Sequence, residues 1–263
     1  RRRGLCAYRE KFDFGMALPV ETRPALCYTK SQGPAVLAGN KRVFEEKQTM
    51  KLTMLGTGNA LVTECYNTCF VLSDGNDHFM VDGGGGMTVL HQLKYAGLDW
   101  RQMRTIFVTH KHIDHLLGII WMMRMICQHM RQGEYEGDAT IYAHEEVIEL
   151  LKDLAEKLLQ KKDVAFIGKR LHLIPVADDE SVSILSKKVT FFDIQSTKAK
   201  QFGFCMELGN GEKLTCCGDE PYNPYEKQFA ENSTWLLHEA FCLESEADIF
   251  IRMRSIIPQC RCK

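Results

Sequence analysis

The sequence predicts an α/β protein in which two β-sheets pack face to face and helices cover their outer faces. The chain has 263 residues, which is enough for one such domain with a large apolar core. Hydrophobic residues make up 45% and charged residues 25% of the chain, as in an ordinary globular protein. Short apolar runs of β type alternate with segments of helical periodicity, and this alternation suits two packed sheets with outer helices.

The predicted elements follow one another along the middle of the chain. Helical spacing at 87–96 ends at Gly97, a long apolar helix spans 116–130, and a helix rich in Glu and Leu spans 144–159. The sequence Gly-Asn-Gly at 209–211 separates two β-type runs and therefore indicates a hairpin. Strands are predicted at 105–109, 139–143, 171–175, 182–185, 189–194, 202–208 and 213–217.

Four side chains of metal-binding type lie within six positions directly after the predicted strand 105–109: His110, His112, Asp114 and His115. Side chains alternate in an extended segment, so His110 and His112 point the same way and can bind one ion. Asp114 and His115 follow where the chain turns and can face a second ion. Imidazole nitrogen and carboxylate oxygen suit Zn, Fe or Mn. The alternative is that these polar side chains only cap the helix that follows.

This pattern resembles the metallo-β-lactamase superfamily, and its ribonuclease Z-like branch in particular. Residues 51–60 and 66–72 are similar to the opening hairpin of that branch, which carries the sequence Leu-Gly-Thr-Gly. Residues 79–86 are similar to a strand that ends in an aspartate beside the metal site, here Asp82. The likeness covers residues 51–250 and implies a four-layer αββα sandwich with the activity of a metal-dependent hydrolase.

The resemblance also implies roles for individual residues. Asp219 ends the run Leu-Thr-Cys-Cys-Gly-Asp, which is similar to a strand whose aspartate bridges two metals. His238 lies in a segment similar to the HEAT box of ribonuclease Z. Asp82 is expected to orient the ligating histidines rather than to bind metal itself. The implied metal ligands are His110, His112, Asp114, His115 and Asp219.

The expected reaction is hydrolysis by a metal-bound hydroxide. One or two ions, Zn or else Fe or Mn, would lower the pKa of a shared water toward about 7. The hydroxide would then attack phosphorus or a carbonyl carbon. Asp114 is the expected orienting base, and His238 is the expected proton donor to the leaving oxygen.

Two departures from the family pattern affect the expected metal site. Gln195 stands where the third motif supplies a histidine, and its amide oxygen is a poorer ligand for Zn than imidazole. After His238 the sequence has no histidine, although the family expects a last metal ligand there. These departures support the alternative of a degenerate, inactive relative that binds metal weakly or not at all. A redox or sulfur-transfer enzyme of the same superfamily is a third interpretation, without a supporting extra domain.

The two ends of the chain differ from its middle. Residues 1–49 carry ten Lys or Arg and five Asp or Glu and show little periodicity, which predicts a disordered or non-native extension; a folded N-terminal module is the alternative. Residues 50–250 form the expected metallo-β-lactamase-like domain. Residues 251–263 add four positive charges and look like a truncated or altered tail. The last strand and helix of the family fold are therefore expected to be missing, which would leave a sheet edge unpaired.

Charge and chain length narrow the expected substrate. Subtracting the +5 and +4 of the two ends from the overall −1 leaves −10 for residues 50–250. Such a domain lacks the bulk attraction that Lys and Arg provide for nucleic acid. Between Gln195 and Asp219 there is no room for the arm with which ribonuclease Z holds tRNA. A small phosphodiester or another small ester is the expected substrate, ahead of tRNA.

Location and partners follow from what the sequence carries outside these motifs. No apolar run approaches the ~20 residues of a membrane span, and no uninterrupted apolar segment marks a secretory signal. The 11 cysteines form no disulfide framework, so reduced thiols and a cytoplasmic location are expected. We expect no membrane partner, and we keep a homodimer as one option for the oligomeric state.

Overall fold

The computed structural model describes residues 4–7, 26–28 and 50–240. In these residues the chain forms two β-sheets, five α-helices and two short 3₁₀ helices. The strands are β1 Gly4–Ala7, β2 Leu26–Tyr28, β3 Lys51–Gly56, β4 Cys69–Asp74, β5 Asp77–Val81, β6 Met103–Val108, β7 Ala139–Ala143, β8 Leu171–Pro175, β9 Ser181–Ile184, β10 Lys187–Asp193, β11 Phe202–Gly209, β12 Glu212–Cys216 and β13 Trp235–Ala240. The α-helices are α1 Thr88–Tyr95, α2 Ile113–Gln132, α3 Glu145–Leu158, α4 Lys161–Val164 and α5 Lys227–Ala230. The 3₁₀ helices are Trp100–Gln102 and Pro224–Glu226.

The first sheet has the strand order β2-β3-β4-β5-β6-β7-β8. Its first four strands pair antiparallel, and β5 to β8 pair parallel. Parallel neighbours need a crossover, and here α1, α2 and α3 supply it. The second sheet has the order β1-β13-β12-β11-β10-β9 and is antiparallel except for the pair β12 and β13.

Three apolar clusters show how the layers stack. One cluster lies between the two sheets, where the rings of Phe79 and Phe107 meet Phe204 edge to face at 5.5 and 5.7 Å. A second cluster joins the outer face of the first sheet to α1, α2 and α3. A third, smaller cluster joins the outer face of the second sheet to α5. The helix–sheet–sheet–helix order predicted from the sequence is therefore confirmed.

A close backbone contact fixes α2 against the loop that follows β5. Gly83 N–H donates to the carbonyl of His115 at 2.8 Å, and Gly118 N–H donates to the carbonyl of Gly84 at 2.9 Å. A Cβ on Gly118 would lie 1.8 Å from Gly83 O, so this approach requires glycine. The contact brings Asp82, at the end of β5, beside the first turn of α2.

Most predicted elements appear at their expected places, and the start of α2 is the main difference. The helix begins at Ile113 rather than near 116, so Asp114 and His115 lie in its first turn. Apolar periodicity does not indicate this first turn, because its inward side chains are polar. Within the described residues, no helix has the length and apolar character that a bilayer crossing demands.

Two short strands near the start of the chain are the described part of its ends. β1 and β2 lie within residues 1–49 and extend the two sheets, while the expected disordered or non-native extension over 1–49 stays a prediction. In the second sheet, β1 pairs antiparallel with β13. The expected absence of the last strand and helix, with the unpaired edge that would follow, concerns residues outside the described ones and stays a prediction. The rest of 1–49 and residues 241–263, including the expected tail, lie outside the described residues. The domain boundaries therefore stay predictions.

Candidate metal centre

The candidate centre lies where β6 ends and α2 begins. His110 and His112 occupy the short extended link between these elements, and their ring centroids are 4.5 Å apart. His115 reaches back from the first turn of α2, and its ring centroid lies 4.2 Å from that of His110. His110 and His115 are buried, whereas His112 is half-buried. Three imidazoles therefore converge at the carboxyl end of a parallel strand.

Two carboxylates complete this cluster, one of them from the second sheet. His115 Nε2 lies 3.6 Å from Asp114 Oδ2 and 3.5 Å from Asp219 Oδ2. Asp219 follows the end of β12, so the centre spans the ends of both sheets. The donor atoms of His110, His115 and Asp219 all lie within 4.8 Å of one another, a spacing that can hold a metal ion.

Asp82 orients two histidines of the cluster through hydrogen bonds. It is buried, has a φ of 58°, and accepts hydrogen bonds from Thr109 N–H, the Thr109 hydroxyl and His115 Nδ1, each at 2.8 Å. Because the Thr109 hydroxyl donates to Asp82, its oxygen is left to accept from His110 Nδ1 at 2.9 Å. In this network both His110 and His115 carry hydrogen on Nδ1, so their Nε2 atoms face the centre.

The electrostatics of the cluster suit a cation. Burial and the nearby charges of His115, His112 and Lys198 push the pKa of His110 far below its usual range, so this imidazole is neutral. Burial alone would lower the pKa of His115, but the charge of Asp82 and hydrogen bonds to Asp219 and Asp82 raise it to about 10. His115 thus holds a proton among carboxylates, and a metal ion can supply the same positive charge.

One buried atom tests whether the residues fit a metal. Within the part of the chain that the structure describes, His110 Nε2 has no hydrogen-bond partner although it is fully buried. An unpartnered buried nitrogen is costly, and a metal ion at this position would satisfy it. The five ligands expected from the sequence, His110, His112, Asp114, His115 and Asp219, do lie together, so the donor set fits one or two ions.

Two predicted site residues have their described contacts elsewhere. Gln195 is exposed, has a φ of 56°, and its N–H donates to Asp193 Oδ1 at 2.9 Å. His238, on β13, donates from Nδ1 to the carbonyl of Glu239 at 2.9 Å, and its Nε2 lies 3.2 Å from Glu226 Oε2. Burial would lower the pKa of His238, but the hydrogen bonds to Glu226 and the carbonyl of Glu239 raise it.

Three residues around the centre have no local signal in the sequence. Thr109 links His110 to Asp82, as described above. Gln201 is fully buried; its Nε2 donates to Ser196 Oγ at 3.3 Å, and its Oε1 has no hydrogen-bond partner among the described residues. Lys198 pairs with buried Glu220 at 3.0 Å. The hydrogen bond from Phe202 N–H to the carbonyl of Thr109 brings this loop to the centre, and no local sequence signal shows it.

The fold and this cluster define the class: a metallo-β-lactamase-fold protein with a His- and Asp-lined candidate metal centre. The metallo-β-lactamase-fold protein YhfI from Bacillus subtilis superposes with a TM-score of 0.56 at 19% identity, over 70% of this chain and 69% of that one. A diphosphatase from the PhnP family gives a TM-score of 0.51 at 14% identity, over 69% and 70%. At these identities the likeness shows the fold alone.

Residues 50–249 match the family described as Anti-Pycsar protein Apyc1, and the chain belongs to this family. Sequence relatives include Ribonuclease Z of Nitrosopumilus maritimus, 33% identical over 88 residues, which are 33% of this chain and 29% of the relative. Ribonuclease Z of Pseudomonas putida (strain W619) is 37% identical over 73 residues, 27% of this chain and 22% of the relative. The chain thus spans less than a third of the length of these relatives. The resemblance to the ribonuclease Z-like branch is confirmed.

Proposed function

We propose that this chain is a metal-dependent hydrolase that acts on a small phosphodiester or another small ester. The observation that carries the proposal is the convergence of His110, His115 and Asp219 donor atoms within 4.8 Å, beside the unpartnered Nε2 of His110. Zn is the proposed ion, as one or two per chain, with Fe or Mn as alternatives for the same donors. The ribonuclease Z relatives and the diphosphatase neighbour support the hydrolase class.

Each side chain of the centre has its own role in the proposed reaction. When bound, the ion or ions supply Lewis acidity and lower the pKa of a water toward about 7. His110, His112, His115 and Asp219 would hold the ion, and the Asp82 network keeps the Nε2 atoms of His110 and His115 directed at its position. Asp114, in the first turn of α2, orients the water and accepts its proton.

The leaving oxygen of the substrate needs a proton in this reaction. His238 is the donor expected from the sequence, and its raised pKa suits a protonated imidazole. Both of its ring nitrogens are engaged, with Glu226 and with the carbonyl of Glu239. Proton delivery by His238 therefore requires one of these hydrogen bonds to open.

A small substrate is favoured over tRNA by charge and by chain connection. Residues 50–250 carry a formal −10, which gives no bulk attraction for a polyanion. Strands β10, β11 and β12 are consecutive antiparallel neighbours, and the connections between them leave no room for a projecting arm. A cytoplasmic location stays part of the proposal, supported by six free cysteines among the described residues. A homodimer stays a prediction.

The test compares metal content and turnover in wild type and a His110→Ala/His112→Ala double variant. We expect wild type to retain metal by elemental analysis and to hydrolyse a chromogenic phosphodiester, and the double variant to lose both. A His91→Ala/His172→Ala variant is the matched control, because it removes two histidines that lie outside the cluster. Control and wild type should behave alike.

The second candidate function is a degenerate relative that binds metal weakly or not at all. The exposed Gln195, whose described contact is a backbone hydrogen bond, favours it because the third motif then supplies no ligand. Equal, near-zero metal in wild type and the double variant would establish this alternative and end the hydrolase proposal.

A further inference from the structure

A second cluster of metal-binding side chains lies close to the candidate centre along the chain: Cys217, Glu226 and His238. One donor atom from each lies within 4.8 Å of the other two. Cys217 follows the end of β12, Glu226 ends the 3₁₀ helix Pro224–Glu226, and His238 lies on β13. Cys217 and Glu226 are fully buried, and His238 is half-buried.

Glu226 carries an oxygen without a partner. Its Oε2 accepts from Asn223 N–H at 3.3 Å and faces His238, whereas its buried Oε1 makes no hydrogen bond to any described residue. The whole side chain is 0% exposed. A carboxylate at such a depth is costly unless a cation and hydrogen bonds compensate it, and half of this group is uncompensated.

His238 presents a nitrogen to that carboxylate in a defined way. A backbone carbonyl can only accept, so Nδ1 must carry the hydrogen in its 2.9 Å contact with Glu239 O. Nε2 then lies 3.2 Å from Glu226 Oε2 either as a second N–H, in an imidazolium, or as a lone pair that shares a cation. The edge of a tetrahedral zinc site with bonds of about 2.0 Å is about 3.3 Å long, so the observed separation fits a shared ion.

We propose that Cys217, Glu226 and His238 bind a second, separate transition-metal ion of the zinc type. Sulfur, nitrogen and oxygen are ligands that zinc accepts together, and three protein ligands leave one position for water. On binding, the Cys217 thiol releases its proton to solvent and binds as thiolate. The competing arrangement is a buried imidazolium–carboxylate pair in which Cys217 takes no part.

The proposed ion would act on the first centre through the backbone. A single residue, Gly218, separates Cys217 from Asp219, so an ion that ties Cys217 to β13 would fix the segment that delivers Asp219. It would also occupy the Nε2 of His238, which then has no proton to give to a leaving group. The two assignments of His238 therefore exclude each other, whereas metal binding at the first centre does not use His238 and is independent of this inference.

Cobalt(II) substitution of the full chain tests the proposal. The first centre offers only nitrogen and oxygen ligands, so a thiolate-to-cobalt charge-transfer band in the near ultraviolet reports on a cysteine ligand. We expect wild type to show the band, the His110→Ala/His112→Ala variant to keep it, and Cys217→Ser to lose it. Cys205→Ser, a half-buried cysteine on neighbouring β11, is the matched control and should keep the band.

The outcomes decide between an ion and an ion pair. Removal of one ligand by Glu226→Gln should weaken cobalt affinity at this position by more than about tenfold, since loss of an outer partner alone costs that much. No band in wild type, which needs no variant and no refolding, would overturn the proposal. A band that survives in folded Cys217→Ser would overturn it as well. Neither result bears on metal at the first centre, whose loss in the double variant is measured separately.

Discussion

At the scale of single residues, Asp82 controls more of the candidate centre than any ligand does. Its carboxylate accepts three hydrogen bonds, from the backbone and hydroxyl of Thr109 and from His115. Through Thr109 it also fixes the hydrogen of His110. One buried charge thereby directs two imidazoles toward the position where a metal would bind.

We predict that Asp82→Asn lowers metal affinity about 10- to 100-fold and unfolding free energy by about 3 kcal/mol. Asparagine tolerates the positive φ of 58°, so the variant keeps the backbone and removes the charge. Its amide NH₂ would also face a donor, Thr109 or His115. Metal retention and denaturant unfolding measure the two effects.

Asp138→Asn is the control for this variant. Asp138 also pairs with a histidine, His172, at 3.1 Å, but its side chain is 54% exposed. Solvent screens an exposed pair, so little change is expected there. If both variants keep wild-type metal and stability, Asp82 does not organise the centre.

A second residue-scale prediction concerns Gln195. We expect Gln195→His to raise metal retention through dialysis, and activity with it, because imidazole is a stronger zinc ligand than an amide. Histidine is among the residues that tolerate the φ of 56° found there. Gln195→Asn, which keeps the amide, is the control. Unchanged retention in a His variant whose fold is intact by circular dichroism would remove Gln195 from the site.

The sequence reveals the site residues that are close together in the chain, but not those that only the packing of distant strands brings together. His110, His112, Asp114 and His115 are close in the chain, so their spacing alone indicates a shared ion. Gln201 is brought beside the residues that follow β6 by the hydrogen bond from Phe202 N–H to Thr109 O, which links β11 of one sheet to the end of β6 in the other. Contacts of this kind depend on how distant strands align, and no local pattern encodes that alignment.

At the scale of elements, the contact between the loop after β5 and the start of α2 positions the centre. Two backbone hydrogen bonds join this loop to α2, one from Gly83 N–H and one from Gly118 N–H. They hold Asp82 beside His115. The sequence shows the run of glycines at 83–86 and suggests a close backbone approach, but it does not show that Gly118 is the partner.

We predict that Gly118→Ala destabilises the fold by about 2–3 kcal/mol and weakens metal retention. A Cβ there would lie 1.8 Å from Gly83 O, so the loop or the helix must move. Arg124→Ala, an exposed position on α2, is the control and should leave both properties unchanged. Thermal or denaturant unfolding checks the first effect. A variant as stable as wild type would mean that the loop and helix are not held in register by this contact.

At the scale of the whole molecule, the alternation of strands and helices predicts the layers but not the neighbours within a sheet. The hairpins follow from turn residues such as those at 209–211. The parallel pairing of β12 with β13 and the placement of β1 beyond β13 do not, because they join segments far apart in sequence. These pairings decide that Asp219 and His238 come from adjacent strands.

The charge of the whole domain yields the last prediction, which compares a chromogenic phosphodiester with a tRNA precursor at matched enzyme concentration. We expect turnover of the small ester and little specific cleavage of the precursor, because residues 50–250 carry a formal −10. Electrostatic binding of RNA weakens steeply with salt, by about 10³-fold or more between about 50 and 200 mM for six or more phosphate contacts. Turnover of the small ester should change little over that range. Faster, site-specific cleavage of the precursor that falls steeply with salt would contradict the prediction. It would indicate that this acidic domain carries a basic RNA-binding patch.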